Sequence, residues 1–172
     1  MISTVLVANR GEIACRILRA CNEAGLASIA IYADNDAHSL FVELATKSVR
    51  LEGNSITETY LNQQQILKIA RENGADAIHP GFGFLSERAD FAQAVIDSGI
   101  TWIGPSAMAI EKMGDKMTAR TTMKAAGVPV IPGEEIEQDD AEEALEAIRE
   151  ASQRVGFPLL LKASSGGGGK GM

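Results

Sequence analysis

The chain has 172 residues, of which 45% are hydrophobic and 23% charged, and it carries a formal net charge of −7. These proportions suit a soluble globular protein with room for one substantial domain, or one domain and part of another. The acidic balance argues against a general nucleic-acid or anionic-membrane surface but leaves room for a local phosphate-binding pocket, and no apolar run approaches the roughly 20 residues that span a bilayer.

The chain enters a strand-like run, STVLVAN, almost at once, with no charged leader or small-residue cleavage site, so no signal peptide is expected. Residues from Gly11 to Ala24 read as a helix that Gly25 ends. Its two cysteines, Cys15 and Cys21, are the only ones in the chain. They fall roughly 240° apart on the helix, so they are expected to point to different sides and to form no disulfide. The two histidines, His38 and His79, are too few and too scattered for a zinc site.

A second strand, ASIAIYA, precedes a short helix, SLFVELA, and a short strand, KSVRLEG. Residues 57–73 read as a longer helix with Leu61, Ile66, Ile69 and Ala70 on one side. DAIHPG is a strand and turn, FLSERADFAQAVIDSG a helix, and TWIGP another strand. Alternating strands and helices with continuous apolar strands predict a parallel sheet covered on both faces.

Ser106 caps the next helix, Gly114-Asp115 interrupts it, and a second piece runs to Gly127. VPVIPG, with two prolines, reads as a connector, and the domain boundary is placed near residue 130. Acids then lead a helix in DDAEEALEAIREASQRVG, with Ala141, Ala144, Leu145, Ile148 and Ala151 on one face. FPLLLKAS is expected to be a strand, followed by the glycine run of SSGGGGKGM. The first domain reads as complete and the second as cut short in that loop.

Glycine loops after strands can cradle phosphates with bare backbone N–H groups. The pattern G-x-x-x-x-G-K-[ST] fails here, because Ser164 stands five residues before Gly169 and Gly171 follows Lys170. Gly166, Gly168 and Gly171 meet G-x-G-x-x-G only formally, since the confirming helix and downstream acid are missing. A hairpin lid closing over a nucleotide is the third reading and a disordered tail the fourth. Lys162, ending an apolar run, favours an anion-binding role, because a strand lysine needs a partner for its ammonium. Lys116 in MGDK follows a candidate N-cap, Asp115. A cation there opposes the helix dipole unless an anion joins it, and the alternative is a solvated lysine compensated by Asp115.

VLVANRGEIACRILRA, AIHPGFGFLSE, WIGPS, MGDKMTAR, AAGVPVIPG and FPLLLKASSGGGGKGM occur together and in order. Across all 172 residues the chain resembles the N-terminal part of the biotin carboxylase component of acetyl-CoA, other acyl-CoA and pyruvate carboxylases. The resemblance implies an ATP-grasp ligase that uses MgATP and bicarbonate to carboxylate biotin on a carrier domain, with a carboxyltransferase component downstream. It also implies a cytoplasmic setting, with fatty acid biosynthesis as the acetyl-CoA branch. The implied fold is a Rossmann-like preATP-grasp domain over residues 1–105, a helical connector over 106–130, and an incomplete ATP-grasp lid over 131–172.

By the same resemblance Lys116 and Lys162 bind ATP, and Gly168 and Gly169 cover its phosphates. Lys170 stands where many members have arginine, keeping the charge but losing the bidentate fork. Phe82, Gly83 and Glu87 belong to the carboxylation pocket. Phe82 replaces a tyrosine common in relatives, so position 82 keeps only a packing role. Asn9, Arg10 and Glu12 receive no catalytic role. Arg16, Arg19 and Glu23, on one helix face, match a homodimer contact. The magnesium ligands, bicarbonate contacts and general base fall beyond residue 172, so the chain alone is expected to be inert. The alternatives are a fragment of another ATP-grasp ligase and a non-catalytic nucleotide-binding module.

Overall fold

A computed structural model of the chain describes residues 1–114, 116–134, 136, 138 and 140–161, with the side chains of 116 and 117 left aside. It divides into two compact units, Met1–Glu111 and Lys112–Met172.

The first unit is built on five parallel strands, β1 (Thr4–Val7), β2 (Ala27–Tyr32), β3 (Lys47–Arg50), β4 (Ala77–His79) and β5 (Thr101–Trp102), in the order β3-β2-β1-β4-β5. β1 is the central strand because TVLV offers apolar side chains to both faces. Val5 and Val7 join Ala30 and Ala77 on one side, while Leu6 joins Ile29, Ile31 and Ile78 on the other. Helices α1 (Gly11–Glu23) and α2 (Leu40–Leu44) cover the first face. Helices α3 (Gln63–Glu72) and α4 (Ala89–Asp97) cover the second through Ile66, Ile69, Phe91 and Val95. The α/β class and the parallel sheet covered on both faces are as the sequence indicates.

Four local readings need correction. Cys15 and Cys21 do not face different environments, because both are buried in one core with Ala14, Ile17 and Leu18. Packing against sheet and α2 together widens the buried stripe to about 160°, and both thiols fall inside it. The helix expected over 57–73 begins only at Gln63, capped by the Asn62 carboxamide, which accepts from the Gln65 N–H. Ahead of it the Glu58 carboxylate accepts from the backbone N–H groups of Asn54 and Ser55. That local turn competes with helix for the same groups and leaves Leu61 outside α3 and exposed.

The helix read from FLSERADFAQAVIDSG is two pieces, a 3-10 turn at Phe84–Glu87 and then α4, separated by extended Arg88. Finally, no strand forms at 157–161, where Phe157, Leu160 and Leu161 are exposed. A strand needs a neighbour for its backbone groups, and an apolar run supplies none by itself.

Helices α5 (Ala107–Gly114), α6 (Lys116–Ala125) and α7 (Ala141–Val155) complete the order. Ser106 caps α5 by accepting from the Ala109 N–H, as its position suggests. Asp140 caps α7 by accepting from Glu142 and Glu143. The buried side of α7 is narrower than the sequence implies: Ala151 is buried, whereas Leu145 is exposed. No described helix is long and apolar enough to cross a membrane.

Candidate functional site

The chain runs β1, β2, β3 outward in one direction and then returns to β4 and β5 on the other side of β1. Strand order therefore reverses between β1 and β4, and the carboxyl ends of those strands flank the crevice where open α/β sheets bind ligands. Two segments emerge there: Asn9-Arg10 after β1, and Pro80-Gly81-Phe82-Gly83-Phe84 after β4.

Asn9 joins them. It is 3% exposed, and its Nδ2 donates to the carbonyls of Pro80 at 2.6 Å and Phe82 at 2.9 Å. Its Oδ1 accepts from the Arg10 N–H, which fixes the amide's orientation. Gly81 has φ +70°, and a Cβ there would stand 2.7 Å from Asn9 Nδ2, so glycine is required on both grounds. The Gly81 N–H donates to His79 Nδ1 at 3.0 Å, tightening the same turn. That bond needs an unprotonated Nδ1, and burial holds the His79 imidazole below its usual range.

Beyond the turn Phe84 has φ 48°, a left-handed conformation that a bulky side chain adopts only when its surroundings impose it. Its ring stacks on Tyr60 with centroids 5.6 Å apart. The Tyr60 hydroxyl donates to Asp36 Oδ2 at 2.6 Å and accepts from the Ala33 N–H at 3.0 Å. Arg10 donates through Nε to the same carboxylate at 2.8 Å and lies over the Tyr60 ring. Burial pushes the Asp36 carboxyl up, but the bonds from Arg10 and Tyr60 outweigh it and hold the group below the ordinary carboxylate range. Burial, and then the bond to Asp36, push the Tyr60 phenol well above its usual value. Arg10, Asp36 and Tyr60 also line a cleft of about 230 Å³ with residues 53–56. No buried side-chain polar atom among the described residues lacks a partner, so the cleft's buried polar groups are satisfied from within the chain.

Phe82 is 63% exposed, Gly83 has φ +64°, and Glu87 is exposed at the end of the 3-10 turn. All three lie in one continuous segment, and none lines the cleft. Arg88, which flanks Glu87, pairs with Asp90. Lys116 opens α6, with no acid in that helix's first turn. Asp115, Lys162, Gly168, Gly169 and Lys170 lie outside the described residues. Arg16, Arg19 and Glu23 are all exposed on α1. Sequence reasoning gave Asn9 at most a structural part and Tyr60 none. The recoverable signal was N-R-G after one strand and P-G-F-G after another, but it becomes legible only once those strands are neighbours.

The fold and this turn define an open, parallel α/β domain with a ligand crevice at its switch point, and comparison with known proteins gives its family. The family described as "Biotin carboxylase, N-terminal domain" matches residues 1–110, and "Carbamoyl-phosphate synthase L chain, ATP binding domain" matches 115–172. The chain belongs to the biotin carboxylase family. It is 48% identical to a biotin carboxylase of Halalkalibacterium halodurans, over 100% of this chain and 37% of that protein. It is also 48% identical to the mitochondrial pyruvate carboxylase of Mus musculus, over 99% of this chain and 14% of the relative. Among solved structures, the biotin carboxylase domain dimer of Hydrogenobacter thermophilus 2-oxoglutarate carboxylase, in complex with MgADP, ADP and bicarbonate, superposes with a TM-score of 0.86. That match is 47% identical and covers 98% of this chain and 36% of the other. The chain thus spans about 37% of the length of the biotin carboxylase it matches.

Proposed function

We propose that the chain is the N-terminal part of an ATP-dependent biotin carboxylase. In this reading MgATP, bicarbonate and carrier-borne biotin give carboxybiotin, ADP and phosphate. The observation that carries it is the likeness, at 47% identity over 98% of the chain, to a domain solved with MgADP, ADP and bicarbonate. The carbamoyl-phosphate synthase match over 115–172 is compatible, since residues 1–110 match the biotin carboxylase N-terminal family itself.

Within this reading residues 1–105 form the preATP-grasp domain, 106–130 the connector and 131–172 the start of the lid. Lys116 and Lys162 neutralise ATP phosphates, and Gly168 and Gly169 let the backbone approach them. Phe82, Gly83 and Glu87 face the carboxylation pocket, and Arg16, Arg19 and Glu23 contribute to a homodimer. Among the described residues no group of three histidines, cysteines or acids could hold a metal ion, so no step is assigned to magnesium on these residues. The partners are the biotin carboxyl carrier domain and a carboxyltransferase component, and the setting is cytoplasmic. Relatives named for pyruvate and for methylcrotonoyl-CoA match as well as the biotin carboxylases do, so acetyl-CoA and fatty acid biosynthesis are one branch among several.

The test replaces Lys116 and Lys162 singly by glutamine in the whole enzyme. Each replacement keeps much of the stem and removes the cation. Loss of a charged contact costs roughly 1.5–3 kcal/mol, so the apparent KM for ATP should rise about 10- to 150-fold, with a smaller change for biotin. Unchanged ATP kinetics in both variants would remove the lysines from the site.

A further inference from the structure

The turn after β4 is held from two sides by residues that the reaction does not consume. On one side Asn9, buried, spans the carbonyls of Pro80 and Phe82. On the other, Tyr60 stacks on Phe84 and is itself tied to Asp36 and the Ala33 N–H. Arg10 links the two sides, since its N–H orients Asn9 and its guanidinium grips Asp36. Between these anchors lie Phe82, which is exposed, and half-buried Gly83, and just after Gly83 comes the strained Phe84. Left free, a bulky residue would leave a positive φ for the extended or right-handed region. It stays only where the neighbours over-determine it, and strain of this kind collects where a backbone must present itself in one geometry.

We infer that Asn9 is a positioning residue for the carboxylation step: through its two bonds to the Pro80–Phe82 turn it holds residues 82 and 83 where biotin meets them, with the Arg10–Asp36–Tyr60 cluster bracing Phe84. The inference rests on the reading of residues 82 and 83 as part of the biotin pocket. Asn9 itself touches no reacting atom. A side chain that sets the geometry of a binding turn controls how well the turn meets its ligand, and a small misplacement at a reacting centre is costly in rate. Nucleotide binding, assigned to Lys116 and the glycine loop, is independent of it.

The test uses the whole enzyme with Asn9→Asp, which keeps the size but turns a donor into a carboxylate facing two carbonyls. Asn9→Ala, which only removes the donor, stands in if the first variant does not fold. The expected result is a fall of about tenfold or more in kcat/KM for biotin, with the ADP dissociation constant from calorimetric titration unchanged. Hydrogen exchange should accelerate at the amides of Ser86 and Arg88, which are bonded within this segment, and stay slow in β1 and β2. An unchanged kcat/KM for biotin overturns the inference, whether or not the exchange rates move. Equal losses for biotin and ADP, with faster exchange throughout the sheet, also overturn it, since they mark a residue that only supports the fold. An unsubstituted enzyme that cleaves ATP without any dependence on biotin refutes the functional reading itself, and the inference falls with it.

Discussion

At the scale of single residues, the turn after β4 is tied to the protonation of His79. The imidazole accepts from the Gly81 N–H, and burial lowers its affinity for a proton in the folded protein. The unfolded chain, with an ordinary value of about 6.5, then binds the proton more readily than the fold does. This contribution to stability is fully present above about pH 6.5 and is lost as the pH falls through the lowered folded value. The melting temperature of the chain should decline over that window, and His79→Asn should flatten the decline. A profile that is the same in both proteins would show that the Gly81 bond is not coupled to folding. The residue scale is also where the sequence was least legible. Asn9 and Tyr60 lie 51 positions apart and work through partners at 36, 80, 82 and 84, a set that strand order and the loops after the strands assemble together.

At the scale of elements, the strands and the helices that cover them were legible because apolar runs and helical periodicity report burial directly. Errors fell where local hydrogen bonding or missing partners decided the matter. Glu58 and Ser55 formed their own turn ahead of α3, and Asn62 rather than a residue near 57 capped the helix. The apolar run at 157–161 looked like a strand because composition reports a tendency to be covered, not the presence of a cover. The five strands and both apolar layers lie within Met1–Glu111. That segment made alone should unfold in one cooperative thermal transition and resist limited proteolysis. Cleavage within β1 or β2 as fast as at the segment's own ends would show that the layers need the rest of the chain.

At the scale of the whole molecule, the chain spans about 37% of the biotin carboxylase it matches. On the reading proposed above, a site that joins nucleotide, bicarbonate and biotin draws on several parts of the enzyme. The chain purified alone should therefore release no phosphate from ATP in a manner that depends on both bicarbonate and biotin. A colourimetric phosphate assay with each omitted in turn checks this, and dependence on both would assign a complete site to these residues.

The place of β1 in the sheet has a consequence for biosynthesis. β1 leaves the ribosome before either of the strands it must pair with, β2 at Ala27–Ala30 on one edge and β4 at Ala77–His79 on the other. About 50 residues separate those two partners, and at a synthesis rate of roughly 5–20 residues per second the second edge stays open for some 3–10 s. During that interval an apolar TVLV edge is available to any other nascent strand on the same message. Slower translation between codons 30 and 77 should lengthen this exposure and raise the share of newly made protein that is captured by holdase chaperones.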